Sequence, residues 1–213
     1  KTDQLLYSLP IRTSQIVMGK YFALLTVYLV PLCIVDVYPL IFAQFGEVYL
    51  PTAYGSLFAF FVMGAAMIAV GIFISSLTEN QGFAAGITIP IVLLNYYSVT
   101  LAEYVSTTAS GSVVAILVIA VLLGLIVCHL TKNRNFAYGI SILIILAVVI
   151  TYFVDSSKFE GLLPDIMTKL SLFERFYIFV NGVFDMTAII YYITVIIFFL
   201  FLSVQSLEKR RYN

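Results

Sequence analysis

Long apolar runs separated by short polar stretches organise this chain. Six runs stand out: Tyr21–Phe45, Leu57–Leu77, Phe83–Leu101, Val113–Leu130, Phe136–Val154 and Thr187–Leu207. A hydrocarbon core of about 30 Å needs roughly 20 helical residues at about 1.5 Å each, and every run approaches that length. In lipid each segment must satisfy its own backbone, so a span is a helix unless strands close into a barrel. No stretch shows the period-two alternation a barrel requires. The pattern predicts an all-α, polytopic membrane bundle of six transmembrane helices. Residues 1–20 precede five spans within 21–154; residues 155–186 form an external segment; the last span, 187–207, leads into a tail at 208–213.

Three polar segments carry local pattern. In the first, Lys1–Lys20, Asp3 or Thr2 is suited to cap a short helix stopped by Pro10, and Thr13 or Ser14 to cap a second one leading into the first span. Leu5, Leu6 and Leu9 give it a narrow apolar face, which fits either a helix lying on the bilayer or a docking element for a cytoplasmic partner. In the second, Asp155–Met186, the residues Leu162, Ile166, Leu170, Phe173, Phe176 or Tyr177, Val180 and Phe184 recur at three- and four-residue steps. That spacing predicts one or two amphipathic helices at the outer surface, with Gly182 as the break before the last span. Interfacial packing is the simpler role, a lid over an exit the sharper one. The third is the tight turn Thr78-Glu79-Asn80-Gln81.

Composition excludes a soluble fold. Of 213 residues, 62% are hydrophobic and 10% charged, against about 25% charged in soluble domains. Zero net charge gives no basic footprint for nucleic acid. Charge placement predicts orientation. With the N-terminus cytoplasmic, Lys1, Arg12, Lys20, Lys132, Arg134, Lys209, Arg210 and Arg211 lie inside, and only Lys158, Lys169 and Arg175 lie outside. The positive-inside rule therefore places both termini in the cytoplasm. The chain opens on Lys1 without a leader pattern, so a preceding segment is expected.

Catalytic chemistry is hard to assemble. Gly19-Lys20 imitates the end of a phosphate loop, but Ser14 stands where its first glycine belongs and Tyr21 where the magnesium-binding hydroxyl belongs. His129 is the only histidine, and Cys33 and Cys128 sit in separate apolar runs. No metal site or cofactor is expected, and no enzyme activity in this chain itself. Asp36 is the one acid well inside an apolar run, between Pro31 and Pro39. It is either a proton or cation site, or a group hydrated or paired where Pro39 opens the helix. Asn95, after Pro90, reads first as an interhelical hydrogen-bonding group and second as a ligand. Close helix packing is expected at Gly64, Ala65, Ala69 and at the Gly82/Gly86 pair, where small residues let backbones approach.

Particular strings go further. Lys1-Thr2, Leu5-Leu6, Pro10, Ile16-Val17 and Gly19-Lys20 form one set; Gly64-Ala65-Ala66 followed by Gly71-Ile72-Phe73-Ile74-Ser75-Ser76-Leu77-Thr78-Glu79-Asn80-Gln81 forms a second. A third is Phe173-Glu174-Arg175-Phe176, Asn181-Gly182-Val183-Phe184-Asp185, Tyr191-Tyr192 and Leu207-Glu208-Lys209-Arg210-Arg211. In this order they resemble the ABC-2-type transporter permeases of the gliding-motility and copper-processing group. The resemblance implies a bacterial plasma-membrane permease subunit that moves a substrate using ATP hydrolysed by a separate cytoplasmic ABC ATPase, paired with a second or related permease. It makes residues 1–20 a coupling segment, with Asp3, Leu5, Leu6, Leu9 and Arg12 as contact residues, assisted by Glu79 and Asn80. Family chains carry an elbow helix and two spans upstream, which would bring the complete protein to about eight spans, the fourth and fifth runs here being the extra pair. The substrate is left unassigned. The rival readings are an ion-coupled carrier working through Asp36, which should show internal repeats or several intramembrane polar groups, and a non-transporting membrane scaffold.

Overall fold

The computed structural model describes residues 12–131 and 134–212, with side-chain surroundings described outside 122–141, 143–144 and 210–212. Among the described residues the regular structure is helical throughout. The helices are α1 (Thr13–Val35), α2 (Tyr38–Phe42), α3 (Leu50–Leu77), α4 (Gln81–Tyr104), α5 (Ala109–Thr131), α6 (Arg134–Val154), α7 (Leu162–Leu170), α8 (Leu172–Val180) and α9 (Met186–Tyr212), with a 3-10 turn at Ser156–Phe159. Four stretches are long and apolar enough to cross a membrane: Thr13–Phe42, Leu50–Leu77, Gln81–Tyr104 and Met186–Lys209. They bare large apolar side chains such as Val27, Ile89 and Ile197, each at least 60% exposed, as lipid-facing helices do. The described fold is thus all-helical, with four helical stretches suited by length and hydropathy to a membrane.

Local chemistry explains where the helices begin and end. Arg12, extended at φ −71° and ψ 140°, starts α1, and its amide donates to Gln15 Oε1 at 3.2 Å. The helix then runs unbroken into the first span, so residues 13–20 are its opening turns. The helix expected from a cap at Thr13 or Ser14 therefore begins at Thr13, with Arg12 as its cap, and is continuous with the run read from Tyr21. Helix α3 begins at Leu50, seven residues before the expected Leu57, with Pro51 in its first turn where a missing amide hydrogen costs no intrahelical bond. Asn80 starts α4: its Oδ1 accepts from the amides of Gly82 at 2.9 Å and Phe83 at 3.3 Å.

The chain divides into two compact units, one reaching Tyr96 and resuming at Leu172, the other spanning Tyr97–Ser171. In the first unit α3 is central, with α9, α1 and α8 all packed on it. Its small residues make this possible: Ala59, Ala65, Ala66 and Ala69 are at most 4% exposed. One cluster joins Ala59, Met63 and Ala66 to Leu172, Phe179, Ala188 and Tyr192. A second joins Val17 and Tyr21 of α1 to Ala69 and Ile72 of α3 and Leu200 and Leu207 of α9. The start of α1, the end of α3 and the end of α9 therefore share one end of this unit. At Gly64 the ring of Tyr28 from α1 lies where a Cβ would stand, and its hydroxyl donates to the Phe60 carbonyl at 2.9 Å.

In the second unit α5 packs against α6, and the 3-10 turn and α7 close against α5. Phe159 is buried edge-on to the Tyr152 ring, and Gly161, at φ +68°, donates its amide to the Thr107 carbonyl at 2.9 Å. Asp155 caps the turn by accepting from the Ser157 amide and hydroxyl. The Ser157 hydroxyl is the main reason that the carboxyl titrates below its ordinary range, with the Ser157 amide and Lys158 adding to it.

The expected amphipathic segment folds as two short helices, α7 and α8. On α8 the stripe residues Phe173 and Phe176 pack partly buried against the core beside the buried Leu172 and Phe179, while Tyr177 and Val180 are more than 40% exposed.

Two outcomes test these contacts. Gly64→Val should destabilise the protein by about 1–3 kcal/mol through collision with Tyr28. Gly86→Val, where a Cβ meets open space, should change stability by less than about 0.5 kcal/mol, both read by SDS-induced unfolding in mixed micelles. Because the Asp155 pKa is depressed on folding, its capping contribution is present above the ordinary carboxylate pKa and is lost as pH falls through the lowered one. Ser157→Ala should move the Asp155 titration upward, toward the ordinary value, in carboxyl NMR.

Candidate functional site

Polar groups inside an apolar bundle are costly unless matched, so their partners locate the places where the chain departs from simple packing. Pro39 has no amide hydrogen, and the helix breaks just before it: α1 ends at Val35, Asp36 is its cap, and α2 starts at Tyr38. The carbonyl of Asp36 is taken by the Tyr54 hydroxyl of α3 at 3.2 Å. The Asp36 side chain, half-buried, lines a pocket of about 290 Å³ together with Cys33, Leu57 and Phe61. Asp36 thus sits at a helix break, as expected if Pro39 opens the helix.

Asn95 does bridge helices. Its Oδ1 accepts from the Leu172 amide at 3.0 Å, supplying a partner to one of the free amides that start α8. The Leu172 carbonyl in turn accepts from the buried Tyr192 hydroxyl of α9 at 2.6 Å. Nearby, the Arg175 guanidinium lies 4.2 Å from the centre of the Tyr191 ring, and Ser56 of α3 donates to the Phe179 carbonyl at 3.1 Å. Phe173 meets Tyr96 edge-on, and Phe176 meets Phe60. One short amphipathic helix is therefore tied by named bonds to α3, α4 and α9. Gly182, at φ +82°, makes the turn beyond it, where the backbone needs a left-handed residue.

At the opposite end of this unit a cleft of about 730 Å³ opens between α1, α3 and α4. Its walls are apolar, from Val17, Leu24, Met67, Ile68, Ile72 and Val92. Its mouth is polar, with Lys20, Ser75, Thr78, Glu79 and Gln81. Gly71 keeps the middle of the cleft open: a Cβ there meets only the Thr88 methyl, at 3.8 Å. Lys20 and Glu79 are both exposed and form no ion pair with each other, whereas Lys158 pairs with Asp155 and Lys169 with Asp165 in the second unit.

The expected site residues distribute as follows. Asp3, Leu5, Leu6, Leu9 and Lys132 lie outside the described residues, and the side chains of Cys128 and His129 lie outside the described side chains. Arg12 is exposed at the start of α1, Glu79 is exposed at the cleft mouth, and Asn80 is engaged in capping α4. Gly64, Ala65 and Ala69 line packed surfaces of α3. Gly82 and Gly86 do not meet a neighbouring helix: a Cβ at Gly82 meets only Asn80 within 4 Å, and one at Gly86 meets nothing. Among the described residues no group of His, Cys, Asp or Glu is placed to hold a metal ion. Tyr54 and Thr88 were not singled out in the sequence, and Lys20, Gly71 and Tyr192 entered only through motif strings or charge placement, not as site residues. The tyrosines had a readable signal, a hydroxyl inside an apolar span; the cleft residues had none, because only the tertiary arrangement gathers them.

Asn95→Leu, which leaves the Leu172 amide without this acceptor, should cost about 1–3 kcal/mol in SDS-induced unfolding, whereas Asn95→Asp should retain most of the stability at neutral pH. No known protein family, curated protein or solved structure matches this chain.

Proposed function

We propose that this chain is the permease subunit of an ABC-2-type transporter, driven by a separate cytoplasmic ABC ATPase and working with a second permease copy. The observation that carries the reading is a shared end. Val17 and Tyr21 near the start of α1 pack with the ends of α3 and α9, and Lys20 of α1 meets the Thr78–Gln81 turn around the mouth of one cleft at that end. A partner that grips residues 1–20 and the turn together acts on both α1 and α4. Nucleotide-dependent contact there can shift the bundle only through different affinities for its two arrangements. In this reading residues 1–12 with the opening turns of α1 are the coupling segment, and Leu5, Leu6 and Leu9 form its apolar ridge.

Six helices then cross the bilayer in this chain. To the four long apolar stretches are added α5 and α6, of 23 and 21 residues, whose sequences are almost wholly apolar. With both termini cytoplasmic, the cleft mouth faces the cytoplasm and α8 lies at the outer surface. The bacterial plasma membrane is the location that goes with such a subunit.

An ion-coupled carrier is the second reading, and the half-buried Asp36 carboxylate at a helix break beside its own pocket favours it. The two separate cleanly. Leu5→Asp with Leu6→Asp should abolish ATPase association, or its stimulation, in a correctly inserted protein, and Asp36→Asn should leave ATP-driven transport within about threefold of wild type. Unchanged coupling in the leucine double variant would remove the coupling role of Leu5 and Leu6, and loss of all transport in Asp36→Asn with ATPase binding intact would favour the carrier.

A further inference from the structure

We propose that the cleft between α1, α3 and α4 is a binding site for a single-chain zwitterionic lipid, drawn from the leaflet at its mouth. The inference rests on the transporter reading insofar as the lipid is cargo; occupancy itself needs no ATPase. Three observations lead to it.

The first is depth. From Gln81 at the mouth to Val92 at the inner end, α4 advances eleven residues, or about 16 Å. That is half of the roughly 30 Å hydrocarbon core, the length over which one leaflet's acyl chain extends. The second is polarity. Leu24, Ile68 and Val92 offer an apolar channel, in which Thr88 spends its hydroxyl on the Ala84 carbonyl at 2.8 Å, and the charged groups sit at the mouth. A soluble polar ligand would leave that channel unmatched, whereas an acyl chain with its headgroup at the mouth meets like with like at both ends. The third is charge. Lys20 and Glu79 are opposite in sign, exposed, and not paired with each other, so the mouth offers a cation to a phosphate and an anion to a quaternary ammonium. A volume of about 730 Å³ falls within the range of roughly 300–1,000 Å³ typical of sites for one small molecule.

The absence of tryptophan makes the test direct, since one introduced indole reports alone. Leu24→Trp places it on the cleft wall, and Val27→Trp, on the same helix at a position 70% exposed, places it against bulk lipid. Each variant is reconstituted in lipid vesicles free of any other protein and titrated with lysophosphatidylcholine carrying a nitroxide at mid-chain, with circular dichroism and monodisperse elution before reconstitution as checks of folding. Quenching of Leu24→Trp should saturate, while that of Val27→Trp should rise in simple proportion to probe content. In the Leu24→Trp background, Gly71→Phe should remove the saturable component by filling the channel. Lys20→Gln with Glu79→Gln, which leaves the channel intact, should raise the half-saturating probe fraction about tenfold. Proportional quenching at both positions would overturn the site, and equal half-saturation by the anionic lysophosphatidylglycerol probe would overturn the zwitterionic assignment. Because binding is read without an ATPase, a negative result here leaves ATP coupling standing, and loss of ATP coupling leaves a positive result here intact.

Discussion

The close packing of α3 against its neighbours is the constraint on which the first unit depends. A bilayer gives little hydrophobic reward for bringing two apolar helices together, so association relies on contact distance and on a few polar bonds. Along α3 the small side chains at Ala59, Ala65, Ala66 and Ala69 remove the bulk that would hold α1, α8 and α9 away. Gly64 extends the same device by admitting the Tyr28 ring. With three neighbours held in this way, α4 is left with large exposed side chains along most of its length, and the space between it and α1 and α3 is the cleft. Tight packing on one side of α3 and an open channel on another arise from one choice of residue sizes.

Polar bonds then appear where the backbone is left unmatched. The break before Pro39 releases carbonyls, and Tyr54 takes one of them; the start of α8 exposes amides, and Asn95 takes one of those. Tyr192 closes the other side of the same residue. These bonds are interhelical because the groups that need them sit at helix ends inside the bundle, beyond the reach of an intrahelical partner. They join α8 to the helix that forms one wall of the cleft, so a displacement of α4 at the Thr78–Gln81 turn acts on the same helix that carries Asn95.

Much of the helical layout was legible in the amino-acid pattern, because runs such as Thr187–Leu207 have one low-energy solution in lipid. The break at Gly182 was legible from glycine, and the opening at Asp36 from Pro39. Ends were read unevenly: the start of α1 was legible from the Thr13-Ser14 pair, whereas α3 extends back to Leu50 because hydropathy marks only the apolar portion. On α8 the stripe was legible at Phe173 and Phe176, while the burial of Leu172 and Phe179 is decided by the neighbouring helices. At Gly82 and Gly86 a spacing suited to close packing meets no neighbouring helix in this chain. The cleft was invisible for a different reason. Lys20, Gly71, Glu79 and Thr88 come from three helices and a turn, and no local spacing links them.

The central claim is that the bundle moves cargo only when another chain hydrolyses ATP. The complex purified with its natural companions and sealed into vesicles decides it, with cargo movement followed while ATP is replaced by a non-hydrolysable analogue and ion gradients are held or collapsed separately. Movement that stops with the analogue and survives gradient collapse is the expected result. Movement that continues without hydrolysis, or that ends when the gradient is removed, would contradict it.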